Sequence, residues 1–477
     1  MAKETNASVA DAGPVEGPWD LPGGWHWARL SDVTERSQYG WTTKASSTGD
    51  VRFLRTTDIS SGRVNWATVP FCAEAPSELD RYLIREGDIL ISRAGSVGKS
   101  FLVEAPDEAV FASYLIRFRP REEPRFVYWW LQTSYYWSQI AEQSAGIAIP
   151  NVNASKLNNL LIPVPPSDTQ RSIVARIDEL FIELDDGEFA LERARDDLET
   201  YRKSLLKAAV TGELTADWRA ANPRQETGGQ LLQRILADRK ARWEADPKNK
   251  GKRYKEPIQP DLESVPPLPT DWTWCSLEQL SSPMPHSISD GPFGSNLKSE
   301  HYREEGPRVI RLQNIGKRGE FVDAKAHIAV DHFDTLERHH VRPGDLVVAI
   351  LGEPLPKAMI VPDDFGEGLV KADCIKVRLA DDGLAPFVWS VLNSPMAHSL
   401  MSHRVKGVGR PRIGMAQIKS MPIPLPPLTE ITEIAETLAA GLKQAADGEG
   451  KISDYLLLSE CARRSILSTA FKGELGQ

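Results

Sequence analysis

Two glycine-containing loops, about 260 residues apart, carry side chains that can read the edges of nucleic-acid bases. Arg, Lys, Asn and Gln on exposed turns form the paired hydrogen bonds that distinguish one base from another. The later loop, RVKGVGRPRIG, supplies the cations Arg404, Lys406, Arg410 and Arg412. The earlier loop, QSAGIAIPNVN, supplies the amides Gln143, Asn151 and Asn153. Glycine and proline keep their places in both loops while the polar residues differ. This pattern favours recognition over the alternative, a merely solvated basic loop.

A second pair of polar segments occurs once in each half of the chain. The first contains Arg55, Thr56 and Thr57, followed by Asp58, and the second contains Arg311, Gln313 and Asn314. These residue types also contact base edges and phosphates. We predict that they form a second group of candidate nucleic-acid-binding residues, with an ordinary surface turn as the alternative.

The segment AGSVGKS resembles the end of a phosphate-binding loop, in which backbone amides and a lysine surround phosphates. The full motif needs glycine where this chain has Arg93. The residues that follow, FLVEAP, predict a strand rather than the helix whose N-terminus would face a phosphate. A turn between strands is the simpler interpretation. A P-loop ATPase or phosphotransferase that uses Lys99 remains an alternative function.

No other arrangement of residues predicts a catalytic or metal centre. The nine histidines lack metal-ligand spacing, and no Ser/His/Asp or Cys/His set stands out. The cysteines lie far apart and predict reduced thiols rather than disulfides: Cys72, Cys275, Cys374 and Cys461. We therefore predict no catalytic residue, no metal and no cofactor bound by this chain.

These candidate residues lie within a long internal repeat. LPGGWHWARLSDV at 21–33 returns as LPTDWTWCSLEQL at 268–280, and IREGDILISRAG at 84–95 returns as VRPGDLVVAILG at 341–352. LLIPVPP matches MPIPLPP, and KAAVTGEL matches STAFKGEL, both at an offset of 261 residues. The chain is therefore two copies of one unit. The first part of each copy is rich in Gly, Pro, Trp and β-branched residues, which predicts a mixed α/β or mainly β globule, called a head below.

A long helix is predicted after each head, because apolar residues recur every seven positions. The stripe of the first helix is Ile177, Leu184, Leu191, Leu198 and Leu205. The equivalent positions of the second helix are Leu438, Ala445, Ile452, Ser459 and Ile466. Gly187 and Gly448 fall on the same stripes and predict a close approach of two backbones. We expect the two helices to pair in antiparallel and to hold inverted heads at a fixed distance. A coiled-coil assembly protein without a DNA role is an alternative.

The sequence therefore predicts an α+β fold, with two inverted mixed α/β heads joined by two long antiparallel helices in a pseudo-two-fold repeat. We expect a disordered tail over 1–20, heads over 21–166 and 268–427, and helices over 167–214 and 428–477. Between the copies, 215–267 forms a basic linker with a short helix over 231–243, which we interpret as a surface excursion.

Charge and hydropathy limit the possible classes of protein. The 477 residues carry a net charge of −9, but the two heads are close to neutral and the acidity lies mainly on the long helices and the first twenty residues. This chain alone therefore lacks the positive field to hold a duplex strongly, and we expect a partner to contribute to the phosphate contacts. No apolar run is long enough to cross a membrane, and the polar start of the chain does not look like a targeting peptide. We expect a cytoplasmic protein without membrane contact.

The repeated arrangement resembles the specificity subunit of type I restriction-modification enzymes. Each variable head is introduced by LPxxWxW, closed by IPxPP and followed by a long helix that ends in GEL. In the second head, DGPFGSNLKSEHY resembles a common opening of the target-recognition domains of that family.

The resemblance implies a DNA-recognition subunit that is not itself an enzyme. Each target-recognition domain would read one half of a bipartite, asymmetric site in double-stranded DNA. The paired helices would set the length of the unread gap and bind two methyltransferase subunits. S-adenosylmethionine would be bound by those partners, and ATP and magnesium by restriction subunits that act as motor and nuclease.

Overall fold

The computed structural model describes residues 15–60, 62–144, 151–222, 226–402 and 411–475. The strands of the first head are β1 (His26–Arg29), β2 (Gln38–Tyr39), β3 (Ala45–Ser46), β4 (Arg52–Leu54), β5 (Phe71–Cys72), β6 (Ile89–Ser92), β7 (Ser100–Leu102), β8 (Ala109–Phe111), β9 (Leu115–Phe118) and β10 (Leu161–Val164). Its helices are α1 (Leu30–Val33), α2 (Leu79–Tyr82), α3 (Pro124–Trp130), α4 (Ser134–Ser144) and α5 (Ala154–Asn158). The long helix α6 (Ser167–Thr211) follows.

Three sheets build the first head. One has the strand order β2-β9-β6-β7, the second has the order β3-β5-β4-β8, and β1 pairs with β10 alone. The strands β4 and β8 pair in parallel. All four residues of β6 are buried, as expected for a short apolar run that is covered on both faces.

Two helices precede the second head, α7 (Ala216–Ala221) and α8 (Gly228–Ala245). We predicted a surface excursion here, and that prediction is wrong for α8. Leu231, Leu232 and Ile235 are buried in the same core as the second head. The Arg239 side chain also donates to the carbonyl oxygen of Glu278 at 3.1 Å. Helix α8 is therefore part of the second globular core, because its apolar residues pack against the second head.

The second head repeats the architecture of the first. Its strands are β11 (Thr273–Ser276), β12 (Ile288–Asp290), β13 (Tyr302–Ile310), β14 (His327–Ile328), β15 (His340–Val341), β16 (Leu346–Ala349), β17 (Lys357–Ile360), β18 (Gly368–Val370), β19 (Cys374–Val377) and β20 (Pro422–Leu425). Its helices are α9 (Leu277–Leu280), α10 (Val330–Asp334), α11 (Ala385–Leu392), α12 (Pro395–Ser402) and α13 (Met415–Lys419), and the long helix α14 (Leu428–Lys472) follows. The sheet β12-β19-β16-β17 corresponds to β2-β9-β6-β7, and the parallel pair β13–β18 corresponds to β4–β8.

The two motifs that bracket each head meet in a strand pair. Trp27 lies opposite Pro163 in the β1–β10 ribbon, and Trp274 lies opposite Pro424 in the β11–β20 ribbon. The LPxxWxW and IPxPP motifs therefore occur together because they form the two strands that close the head where the long helix begins.

The chain divides into two compact units, residues 1–192 with 452–477 and residues 193–451, so both boundaries fall inside the long helices. In the first unit, Arg463 lies over the Phe181 ring at 5.0 Å, and Ser459 donates to Glu188 at 2.6 Å. Residue numbers rise along α6 where they fall along α14, so the two helices are antiparallel in this unit. Ile177, Ile452 and Ser459 are buried, and Leu184, Leu191 and Ile466 are half-buried.

The helix segments of the second unit are also antiparallel. A Cβ atom on Gly448 would lie 3.1 Å from the Leu198 side chain, and one on Gly441 would lie 2.8 Å from the Leu205 side chain. Leu438 and Ala445 are buried. The predicted α+β fold with two long antiparallel helices is thus confirmed. At Gly448 the neighbour is the Leu198 side chain rather than a backbone, and Gly187 is exposed with no atom within 4 Å of an added Cβ, so the predicted approach of two backbones is wrong at both positions.

Each long helix ends at a glycine in the left-handed region that packs on a head. Gly212 has φ +79°, and a Cβ there would lie 2.6 Å from Pro269 Cγ. Gly473 has φ +75°, and a Cβ there would lie 2.3 Å from Pro22 Cγ. The glycine of each GEL motif therefore packs against the proline of an LPxxWxW motif.

Residues 15–20, which we predicted as part of a disordered tail, have defined contacts with the first head. Val15 bridges to Trp27, and Trp19 lies edge-on to Trp27 with ring centroids 4.8 Å apart. Residues 15–20 therefore cover the first head. No helix in the described ranges is long and apolar enough to span a membrane.

Candidate nucleic-acid interface

The parallel strand pair of each head ends where the candidate residues lie. Ala112 N donates to Leu54 O at 2.9 Å beyond the β4–β8 pair. Lys371 N donates to Ile310 O at 2.8 Å beyond the β13–β18 pair. The two heads therefore present the same strand ends, which we call the recognition edge.

An equivalent turn follows β4 and β13 on this edge. Asp58 accepts the Arg55 amide at 2.8 Å, and Asn314 accepts the Arg311 amide at 2.9 Å. The Arg55 guanidinium also donates to Asp58 at 2.8 and 3.0 Å, and this hydrogen bonding raises the pKa of Arg55. The Arg311 guanidinium donates to the carbonyl oxygen of Ala324 at 3.1 Å. Both arginines are thus held by contacts within their own head.

The side chains of this turn differ in how accessible they are. Asn314 is 1% exposed, and its amide donates to the carbonyls of Val322 and Ala324 at 2.9 Å each. Asn314 therefore positions the turn, which corrects its prediction as a base reader. Thr57 and Gln313 are exposed and Thr56 is half-buried, so these three stay predictions.

The hairpin turn after the central strand holds the glycine-containing loop in both heads. Ala94 bridges to Asn151 in the first head, and Leu351 bridges to Arg412 in the second. Asn151 and Arg412 therefore occupy the same place on the same frame, as the matched loops predict. The first head has an amide there, whose oxygen is buried and has no hydrogen-bond partner among the described residues, and the second head has a guanidinium.

Two exposed tyrosines, Tyr39 and Tyr114, contact Arg93, which precedes the Ala94 that bridges to Asn151. The Tyr39 ring lies 5.1 Å from the Arg93 guanidinium carbon, and its hydroxyl accepts the Ala154 amide at 2.9 Å. Tyr114, whose carbonyl accepts the Arg93 amide at 2.9 Å, is 60% exposed. Exposed aromatic rings stack on bases or sugars. Sequence reasoning missed these residues; the available signal was an aromatic residue directly at a strand end.

Arg412 of the second head is held in place by two neighbours. Its guanidinium lies 3.2 Å from Asp373 and 5.9 Å above the ring of Phe293, which is 47% exposed. Asp373 corresponds to Tyr114, because its carbonyl accepts the Ile350 amide at 3.0 Å. A guanidinium fixed at its base and 44% exposed can donate two parallel hydrogen bonds to a planar acceptor. Sequence reasoning missed Phe293 and Asp373.

The structure describes two of the remaining loop residues, and neither bridges to the hairpin turn. Asn153 is exposed, and its side chain accepts the Lys156 amide at 2.9 Å as the cap of α5. Gln143 is half-buried near the end of α4, and its carbonyl accepts from Lys156. Arg404, Lys406 and Arg410 lie outside the described residues.

The AGSVGKS segment is a hairpin turn between β6 and β7. Gly98 N donates to Ser92 O at 2.8 Å, and Lys99 Nζ donates to Ser60 O at 3.2 Å. A strand follows Ser100, so no helix N-terminus faces the lysine. The geometry does not support the P-loop alternative. Within the described ranges, no group of three or more His, Cys, Asp or Glu residues is placed to hold a metal.

Buried cations lie at equivalent positions behind each recognition edge. Arg117 on β9 donates to Leu83 O at 2.8 Å, and Lys376 on β19 donates to His340 O at 2.8 Å. Burial lowers the pKa of Arg117 to about 10 and that of Lys376 to about 8. These cations satisfy backbone carbonyls between sheets, so they are structural rather than available to a ligand.

Comparison with known proteins agrees with this architecture. Residues 22–190 match the family described as "Type I restriction modification DNA specificity domain". The chain is 22% identical to the EcoKI specificity subunit of Escherichia coli strain K12, over 95% of this chain and 90% of that protein. It is 23% identical to the EcoDI specificity subunit of Escherichia coli, over 85% and 81% respectively.

Solved structures share the fold along almost the whole chain. The HsdS subunit from Thermoanaerobacter tengcongensis superimposes with a TM-score of 0.51 at 19% identity, covering 96% of this chain and 100% of that chain. A chain from a structure of the assembly and conformational transition of the type I R-M system has a TM-score of 0.63 at 18% identity, with the same coverage. Duplicated heads on paired helices define a class of DNA-specificity proteins. Residues 22–190 match the type I DNA specificity domain, and the chain as a whole is similar to specificity subunits of type I restriction-modification systems.

Proposed function

We propose that this chain recognises a bipartite site in double-stranded DNA for a type I restriction-modification complex, with one head reading each half of the site. The observation that carries the proposal is the equivalence of Asn151 and Arg412. Two heads with one backbone frame present different hydrogen-bonding groups at the same point. Two readers of this kind suit an asymmetric site, because each half is specified by its own side chains.

The chemistry of the two positions favours different bases. A guanidinium such as that of Arg412 donates to the O6 and N7 acceptors of guanine in the major groove. An amide pairs with N6 and N7 of adenine, and for Asn151 this requires the side-chain oxygen, which is buried in the free chain, to turn outward on binding. The neighbouring Tyr114 and Phe293 add exposed aromatic surface beside each reader. We infer that these four residues act together with Thr57 and Gln313.

The long helices support a spacer role. Each contains 45 residues, or about 68 Å of helix at 1.5 Å per residue. Inside each compact unit, the apolar stripes of the two helices pack against each other. A pair of mutually packed helices is stiff, so it can fix the unread gap between two half-sites.

Exposed apolar residues on the helices support the binding of partner subunits. In the first unit, Ile182 and Phe189 of α6 are 60% and 63% exposed, and Tyr455, Leu457 and Leu458 of α14 are 59–61% exposed. Clusters of exposed apolar side chains mark interaction surfaces. We propose that two methyltransferase subunits bind along the helices and that restriction subunits join the assembly.

The chain is the recognition component rather than a catalytic one. In this proposal, S-adenosylmethionine is bound by the methyltransferase partners, and ATP and magnesium by the restriction partners. The complex acts on DNA in the cytoplasm.

Sequencing of methylated bases in a host that expresses this chain with its methyltransferase subunits tests the proposal. We expect two short specified blocks separated by a fixed gap. Arg412→Gln should relax or lose one block only, since a lost bidentate contact costs about 1–3 kcal/mol in discrimination. Asn151→Ala should affect only the other block. Arg171→Gln, an exposed change on α6, is the matched control and should alter neither.

Two results would contradict the proposal. A methylation pattern that does not depend on this chain would favour an assembly protein without a DNA role. Simultaneous change of both blocks by Arg412→Gln would show that the heads do not read separate half-sites.

A further inference from the structure

A cavity in the second unit has an unusual excess of positive charge. Its volume is about 300 Å³, and it lies between α6 and the second head. The charged side chains that line it are Glu199, Arg202, Lys203, Lys317, Arg318 and Lys357. Five cations therefore face a single carboxylate in the wall.

Arg318 forms ion pairs with the carboxylates that lie nearest to the other cations of the cavity. Its guanidinium lies 2.8 Å from Glu199 and 2.6 Å from Glu449 of α14. Lys203 is 3.8 Å from Glu199, at the limit of an ion pair. Among the described residues, Arg202, Lys317 and Lys357 form no ion pair within 4 Å.

The internal repeat provides a comparison for Arg202. Its counterpart at the offset of 261 is Arg463, which is paired with Asp185 and lies 3.2 Å from Glu188. The position equivalent to Asp185 is Ala446. Glu449 occupies the position of Glu188, and Glu449, Glu199 and Glu320 act electrostatically on Arg202, so the second copy differs by the loss of the one carboxylate at position 446. Burial, together with the neighbouring Arg318, lowers the pKa of Arg202.

The cavity and Arg412 both contact the β16–β17 hairpin of the second head. Pro354 and Lys357 line it and belong to the β16–β17 hairpin. Leu351, at the other end of the same hairpin turn, bridges to Arg412. A group held in the cavity would therefore lie on the same hairpin as the proposed base reader.

We propose that this cavity binds a phosphate group, supplied by the DNA backbone beside the half-site that the second head reads. Several unpaired donors converge on a small space, which suits a phosphate with its several acceptor oxygens better than a single carboxylate. The inference rests on the proposed function, because the DNA source requires that the second head binds DNA. A free phosphate is the other source with the same chemistry.

The salt dependence of DNA binding tests the source. The affinity of the methyltransferase–specificity complex for a duplex with its site is measured from about 50 to 200 mM salt. Arg202→Gln combined with Lys357→Gln should reduce the slope of log K against log salt by about 0.9 for the lost phosphate contact. The affinity should fall for cognate and unrelated duplexes alike, while the methylated sequence stays the same. Arg463→Gln, the matched control, should leave the slope unchanged.

A second arm uses inorganic phosphate as the probe. If phosphate raises the melting temperature of the wild-type chain more than that of the double variant while the DNA slope is unchanged, the cavity binds phosphate but not the DNA backbone. If neither measurement responds to the substitutions, the proposal is overturned. Loss of methyltransferase binding by the double variant would also overturn it, because the occupant would then be a protein carboxylate. Failure of the proposed function is separate, since the wild-type complex itself would show no preference for its site.

Discussion

A buried carboxylate joins the start of α14 to the second head and to the segment after α6. Glu430 is fully buried and accepts three hydrogen bonds. The donors are Thr215 at 2.7 Å, Arg219 at 2.8 Å and the Trp272 indole at 3.0 Å. Arg219 is itself only 13% exposed, so the ion pair with Glu430 is buried on both sides.

Glu430→Gln should destabilise the second unit by about 3–5 kcal/mol, because it removes the buried negative charge that accepts from the Arg219 guanidinium. The glutamine oxygen can accept from Thr215 and Arg219. Its NH₂ group then faces the Trp272 N–H, and two donors meet. Adding Arg219→Met should recover part of the loss, since the guanidinium that has lost this carboxylate is then removed as well.

Urea unfolding followed by hydrogen exchange in peptides of the second unit measures this effect without mixing the two units. Glu436→Gln on the exposed face of α14 is the control and should change the free energy of unfolding by less than about 0.5 kcal/mol. A Glu430→Gln protein as stable as that control would refute the reasoning. So would a double variant that loses the sum of the two single losses.

Two further predictions concern pH and the spacer. The pKa of Lys376 is lowered to about 8 in the folded chain, below the ordinary value of 10.5, so the unfolded chain binds more protons between these values. The free energy of unfolding should therefore rise with pH across this window, by up to roughly 1.4 kcal/mol per pH unit. Lys376→Met should remove that rise, and an unchanged pH slope would contradict the assignment. Inserting one heptad after Glu192 and one before Ile452 should lengthen the unread gap by about 3 base pairs, because seven residues add about 10.5 Å against about 3.4 Å per base pair. A methylation pattern with the original gap would exclude the spacer role.

The sequence was most informative where a pattern of residues repeats along the chain. The heptad stripes predicted the long helices, whose bounds are Ser167–Thr211 and Leu428–Lys472. The matched loops predicted that Asn151 and Arg412 share a place, and the bridges to Ala94 and Leu351 show the same frame. Periodicity and repeat matching work because they report a local geometry that the whole copy must satisfy.

The sequence-based predictions were wrong where tertiary contacts determine whether a residue is buried or exposed. Asn314 looks like a free polar reader, but its amide satisfies two carbonyls inside the turn. Gly187 occupies a stripe position by counting, yet it is exposed, because an α-helix drifts from a strict seven-residue repeat by about 20° per heptad. The linker helix α8 looks like a charged surface element, although its few apolar residues complete a core. None of these outcomes follows from residue type and spacing alone.

The residues that match between the two copies lie mainly at junctions, and this explains how one scaffold can serve two different readers. Gly212 closes the first long helix against Pro269, and Gly473 closes the second against Pro22. Each copy thus supplies the end of its helix to the motif that introduces the other copy's head. A change in the loops of the recognition edge leaves these contacts untouched. The two half-sites can therefore change independently, since the packing that holds each head on its helices does not involve the side chains proposed to read bases.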